Sequence, residues 1–130
     1  MTISLSLGES VVVQSDIDRL TQIINNLLSN AEKYATAGKQ VDVQVECGAD
    51  NVDIHVRDYG AGIAEKELRM IFLPFYRVKS GITEGVSGTG IGLTIAQQLA
   101  HSLGGEILVA QQSPGVRFTL RLARNLITAP

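Results

Sequence analysis

Val41-Asp42-Val43-Gln44-Val45-Glu46-Cys47, followed after four residues by Val52-Asp53-Ile54-His55-Val56, decides the fold. Apolar residues alternate with polar ones through both runs. A side-chain period of two means a strand with one face buried. Gly48 to Asn51 is short and rich in turn residues, so the two strands form an antiparallel hairpin. One face of such a hairpin is apolar and needs a covering layer.

The cover lies immediately upstream. Ile17, Leu20, Ile24, Leu27, Ala31 and Tyr34 recur at steps of three and four, with Ile23 and Leu28 beside them. That spacing predicts an amphipathic helix of about five turns. Asp16 stands where an N-cap belongs, and the helix is expected to end near Ala37-Gly38. Before it, Ile3 to Leu7 alternates and Val11 to Val13 is β-branched, which reads as an opening hairpin or two short strands. Downstream, Glu65 to Ile71 reads as a short helix. Leu73 to Ser87 contains a proline and several glycines without a period and reads as a loop. Ile91 to Leu103 is helical, closed by Gly104-Gly105. Ile107 to Ala110 and Val116 to Leu122 make a last hairpin around Ser113-Pro114-Gly115. The sum is an α/β two-layer sandwich. A mixed, mostly antiparallel sheet of about five strands is covered on one face by about three helices.

The chain has 130 residues, enough for one domain, 1–130. Hydrophobic residues make up 45%, ordinary for a globular core. The net charge is −2 and the cations are scattered, so no basic stripe points to nucleic acid. No apolar run is long enough to span a bilayer. The single cysteine, Cys47, excludes an internal disulfide and ends an apolar run as an expected core residue. Only His55 and His101 could join it, which excludes a Cys/His metal cluster. Both histidines read as structural or solvated.

Three elements carry chemistry. Asn26, Asn30 and Lys33 share one face of the first helix. Asp58 ends a half-buried strand and is followed by Gly60 and Gly62, a turn that lets backbone approach a ligand. Its carboxylate can accept from an amino group on a flat heterocycle. Gly88-Thr89-Gly90-Ile91-Gly92-Leu93 runs into a helix, so open N–H groups and the helix N-terminus can meet an anion. The lysine of a P-loop is absent. Each signal alone also fits a bland reading: a polar helix face, an Asp-capped turn, a glycine-rich loop.

Their order and spacing resemble the GHKL ATPase superfamily, and within it the sensor histidine kinases of two-component systems. Asn26-Leu27-Leu28-Ser29-Asn30-Ala31-Glu32-Lys33-Tyr34 is similar to the N box. Asp58 to Ile63 is similar to the G1 box, Phe72-Leu73-Pro74-Phe75-Tyr76-Arg77 to the F box, and Gly88 to Leu93 to the G2 box. The resemblance implies a Bergerat-type fold whose cofactors are ATP and Mg²⁺. It implies that Asp58 binds the adenine amino group, and that Gly60, Gly62 and Ile63 shape the base pocket. Asn30 would hold Mg²⁺, with Asn26 and Lys33 near the phosphates and Tyr34 packed near the nucleotide. Leu73 to Ser87 would be the lid, with Arg77 and Lys79 as candidate partners for the γ-phosphate. Gly88, Thr89, Gly90, Ile91, Gly92 and Leu93 would cradle the phosphates.

Asn26 discriminates between branches of the superfamily. ATP-hydrolysing members carry a glutamate there to activate water, and an amide cannot act as a base. The resemblance therefore implies phosphoryl transfer to a histidine, with Asn26, Lys33 and Arg77 as catalytic residues acting by position and charge. The phosphoacceptor would lie on a separate helical-hairpin domain of a homodimeric parent, of which this chain is a fragment, and a response regulator receiver domain would be the next partner. The expected location is cytoplasmic with no membrane contact by this domain, anchoring of the parent being left open. The alternative is a nucleotide-binding interaction module of a degenerate kinase. A serine kinase of the anti-sigma-factor type shares the fold, but Asn26 speaks against it. Many relatives carry a small hydroxyl residue just before the last strand's Phe. Val116-Arg117-Phe118 fills that place here, so a water-mediated adenine contact is not carried over.

Overall fold

The computed structural model describes residues 2–7, 17–34, 40–60, 62–73 and 92–123, with the side chains of β1 left out and those of helix α1 described only over 18–31. The element order is β1 (Thr2–Leu7), α1 (Ile17–Tyr34), β2 (Gln40–Cys47), β3 (Asn51–Asp58), α2 (Glu65–Leu68), α3 (Gly92–Ser102), β4 (Glu106–Gln111) and β5 (Val116–Ala123). One five-stranded sheet runs β1-β2-β3-β5-β4. β1 lies parallel to β2, and every other pair is antiparallel. The sheet is thus mixed and mostly antiparallel, as the alternation predicted. β1 joins β2 across the whole of α1, in register from Thr2 opposite Gln40 to Leu7 opposite Val45. Val11–Val13, Asp16, the end expected near Ala37-Gly38 and the segment after Leu73 lie outside the described residues.

Strand pairing puts all the apolar alternates on one face. Val43 opposes Val56, which opposes Phe118, which opposes Val109. Phe118, Leu120 and Leu122 are fully buried there, under Ile23, Leu27 and Ala31 of α1 and Ala96 and Ala100 of α3. The centre of the α1 stripe is therefore Ile23 rather than Ile24, which is half-buried beside it. Alanine at two successive turns of α3 lets the two helices lie close over the sheet. Gln97 fixes α3 to β4 with a paired bond: its amide nitrogen donates to Ile107 O (3.0 Å) and its Oε1 accepts from Ile107 N (2.8 Å).

The end of α3 shows why two glycines stand there. Gly104 N donates to His101 O and Gly105 N to Ala100 O, with Gly104 at φ 78°. This is a Schellman closure, whose left-handed residue glycine adopts without a Cβ clash. Gly105 then passes so close to β5 that a Cβ would sit 2.3 Å from Arg121 O. Cys47, expected in the core, is only half-buried, because it lies at the last position of β2.

Candidate functional site at the end of the middle strand

Asp58 occupies an apolar slot. It continues the inward alternation Val52, Ile54, Val56 and is 4% exposed. Gly60 N donates to its Oδ1 at 3.0 Å, and the Val116 backbone N–H donates to the same carboxylate. Two donors fill two of about four acceptor positions on a carboxylate, so it keeps capacity for a further donor. Burial pushes its pKa above the ordinary 3.8. The Gly60 and Val116 N–H groups, and the charge of Arg57, work against that rise.

The sign of the linkage follows. The folded state holds this proton more tightly than the unfolded chain. The group's contribution is therefore full below the unfolded value and is lost as pH rises through the folded value. Asp58→Asn removes this titration. The stability of the wild type relative to Asp58→Asn is expected to fall as pH climbs from about 3 towards 7. Urea denaturation across that range checks it, and a flat difference would contradict the buried carboxyl.

The turn after Asp58 is held from β4. Gly62 has φ 83°, and Ile63, 5% exposed, donates its N–H to Gln111 Oε1 at 3.1 Å. A Cβ on Gly62 would meet Gln111 Nε2 at 2.7 Å. Gly115, at φ 95°, lies against the backbone of Asp58. Gln111 was not among the residues read from motifs. Its signal is a polar residue where the alternation Ile107, Val109 calls for an apolar one.

The second wall is helical. Asn26 Nδ2 donates to Gly92 O at 3.3 Å, joining the face of α1 to the first residue of α3. Asn30 lies one turn on from Asn26 along α1. Thr94 Oγ1 donates to Phe72 O (2.7 Å), and the Phe72 ring meets Phe118 edge-on at 6.4 Å. The start of the F-box segment is thereby fastened to α3 and to the core. The structure thus gathers Asp58, Gly60, Gly62 and Ile63 at one strand end, and joins Asn26 to Gly92, with Leu93 packed on the core. Lys33 and Tyr34 are on the last turn of α1, but their side chains lie outside the described residues, as do Arg77, Lys79, Gly88, Thr89, Gly90 and Ile91.

The profile of the family described as "Histidine kinase-, DNA gyrase B-, and HSP90-like ATPase" matches residues 15–126. Sensor histidine kinase RcsC of Salmonella typhimurium is 42% identical over 113 residues, which are 86% of this chain and 12% of that protein. Sensor histidine kinase WalK of Bacillus subtilis is 37% identical over 97 residues, 73% of this chain and 16% of that protein. The chain therefore spans a small part of these curated relatives. Among solved structures, full-length ShkA in complex with AMPPNP superposes with a TM-score of 0.81 at 25% identity, over 99% of this chain and 26% of that one. The nucleotide-free catalytic domain of histidine kinase ThkA gives 0.80 at 26% identity, over 94% of this chain and 78% of that one. Buried Asp58 and its glycine turn, the Asn26–Gly92 junction and the mixed sheet thus stand in a chain that belongs to the histidine kinase-, gyrase- and HSP90-like ATPases, as a catalytic domain of the sensor histidine kinase type.

Proposed function

We propose that this domain binds ATP with Mg²⁺ and donates the γ-phosphoryl group to a histidine on a separate helical-hairpin domain of a longer, homodimeric sensor kinase. The observation that carries the reading is Asp58: a buried carboxylate with acceptor capacity to spare, at a strand end, held by two backbone N–H groups. Its surroundings fit an adenine, whose exocyclic amino group supplies the missing donor. Ile63 and the turn held by Gln111 would form the base pocket, with Gly60 and Gly62 giving the backbone close approach. ShkA, which shares the fold, is a complex with AMPPNP.

When bound, ATP supplies the transferable phosphoryl group and Mg²⁺ neutralises its charge. Asn30 would hold the ion through its side-chain oxygen, the donor type a hard cation takes. Asn26, Lys33 and Arg77 would orient the phosphates, and Gly88, Thr89, Gly90, Ile91, Gly92 and Leu93 would receive them at the α3 N-terminus. Tyr34 would pack beside the nucleotide. No described side chain near Asn26 is a carboxylate placed like the water-activating glutamate of hydrolytic relatives, since Asn26 itself fills that position. A neutral imidazole needs little activation as a nucleophile, so transfer would rest on position and charge. The phosphoryl group would then pass to an aspartate of a response regulator receiver domain.

The test is transfer from labelled ATP to a histidine-hairpin domain supplied in trans. Acid-labile phosphate on the hairpin is the expected product. Asn26→Ala is expected to lower the rate by about 10–100-fold while the domain stays folded, the scale of losing one positioning contact at a reacting group. Nucleotide binding without any transfer would turn the reading to the interaction module of a degenerate kinase. Acid-stable phosphoserine on a partner would turn it to a serine kinase.

A further inference from the structure

The sheet has a second face, and it is polar. Glu46 of β2 pairs directly with Asp53 of β3, and His55 follows Asp53 on the same face. One ligand atom from each of these three lies within 4.8 Å of the others. Two of the three are buried although they face away from the described helices α1 and α3: Asp53 is 9% exposed and His55 8%. Thr119 and Arg121 of β5 and Glu46 of β2 lie against them.

Each buried member is held in place by a partner on β5. His55 Nδ1 lies 2.7 Å from Thr119 Oγ1. Its other ring nitrogen, Nε2, faces Glu46 Oε1 at 3.7 Å, beyond hydrogen-bond length. Arg121 donates to both oxygens of Asp53, at 2.9 and 3.0 Å. Each carboxylate oxygen accepts twice, so both keep a free lone pair. Glu106 pairs with Arg121 across the sheet, and both Glu106 and Glu46 act on its charge. Three carboxylates therefore act on one guanidinium, with Arg57 and Arg117 paired one step farther along the same face.

We propose that Glu46, Asp53 and His55 form a site for a divalent transition-metal ion, with Zn²⁺ the best fit. One imidazole and two carboxylates are borderline-to-hard donors that Zn²⁺ accepts readily. Two ligands at 2.0–2.1 Å from a tetrahedral ion stand about 3.3 Å apart. The 3.7 Å between Nε2 and Oε1 is already close to that. Thr119 and Arg121 supply the outer bonds that metal ligands need: in the Nδ1–H tautomer His55 donates to the threonine hydroxyl and leaves Nε2 to the ion, and the guanidinium fixes the Asp53 carboxylate. Water completes the coordination. With one histidine and two carboxylates drawn from two strands, the site has no Cys/His spacing in the sequence. The site is separate from the nucleotide pocket, because Asp58 faces the helices and Asp53 and His55 face away from them.

The experiment is Zn²⁺ titration of the tag-free domain against a chromophoric chelator, repeated with Co²⁺ to read its visible ligand-field bands. One saturable site is expected, weakened at least about tenfold in Glu46→Gln and in His55→Asn, with the Co²⁺ bands lost. The Glu46 side chain is 64% exposed, so Glu46→Gln keeps the fold and decides the matter if His55→Asn does not. Absence of saturable binding up to about 1 mM, the weak end of the affinity scale, would overturn the proposal. So would equal binding by the wild type and Glu46→Gln.

Discussion

Asp58→Ala is expected to weaken binding of a non-hydrolysable ATP analogue by at least about a hundredfold, read by titration calorimetry with Mg²⁺ present. The estimate rests on what the side chain does. It is buried, and its charge is met by neutral N–H donors rather than by a bonded cation. Losing a hydrogen bond to a charged group costs about 1.5–3 kcal/mol, and a hundredfold is about 2.7 kcal/mol. The variant also leaves the Gly60 and Val116 N–H groups without their acceptor, so the turn that shapes the pocket loosens. Its folding stability is expected to change little at neutral pH, because the lost hydrogen bonds are offset by removal of a buried charge. Unaltered affinity in Asp58→Ala would remove this strand end from the nucleotide site.

Gly115→Ala is the second large effect, and it falls on stability and site together. A Cβ there would sit 2.0 Å from Asp58 O, 2.7 Å from Asp58 C and 3.0 Å from Tyr59 Cα. The backbone is also at φ 95°, which an L side chain rarely adopts. Positive-φ strain alone costs about 1–3 kcal/mol. The steric clash is with main chain, so no flexible side chain can move aside. We expect a total loss of about 3 kcal/mol or more, which lowers the melting temperature by about 10 °C in a domain of this size. Nucleotide affinity should fall with it, because the displaced atoms are those of Asp58 itself. Gly92→Ala is the contrast: an added Cβ meets nothing within 4 Å, and its melting temperature is expected to hold. Equal melting of Gly115→Ala and wild type would mean that β5 does not pass under Asp58 as described.

Local periodicity made the two hairpins, α1 and α3 legible, because burial of one face imposes a period of two on a strand and 3.6 on a helix. Asp58 was legible for the same reason: an ionisable residue in an apolar slot, followed by glycines, is an anomaly with few explanations. Long-range pairing was less so. Nothing in Thr2–Leu7 specifies a parallel partner beginning at Gln40, since that choice depends on how α1 folds back over the sheet. Gln111 and Gly115 act through the register between β3, β4 and β5, and register is not a property of any one segment. His55 reads as structural or solvated from its strand position, and the sequence does not say which. Cross-strand neighbours cover it, and only the assembled face shows that.

β3 is the middle strand of five, paired on both sides along its length. Its amides can exchange with solvent only when β2 or β5 comes away, so they should open near the global unfolding free energy. Its pairing with β5 joins residues about 65 apart in sequence, contacts that form late and slowly because a long loop must close first. The carboxylate proposed to read the base is thus rooted in the most durable part of the domain. Under the proposed function, the recognition end of the pocket waits for its ligand already built, and whatever adjustment binding demands would fall on the parts of the site farther from the middle of the sheet.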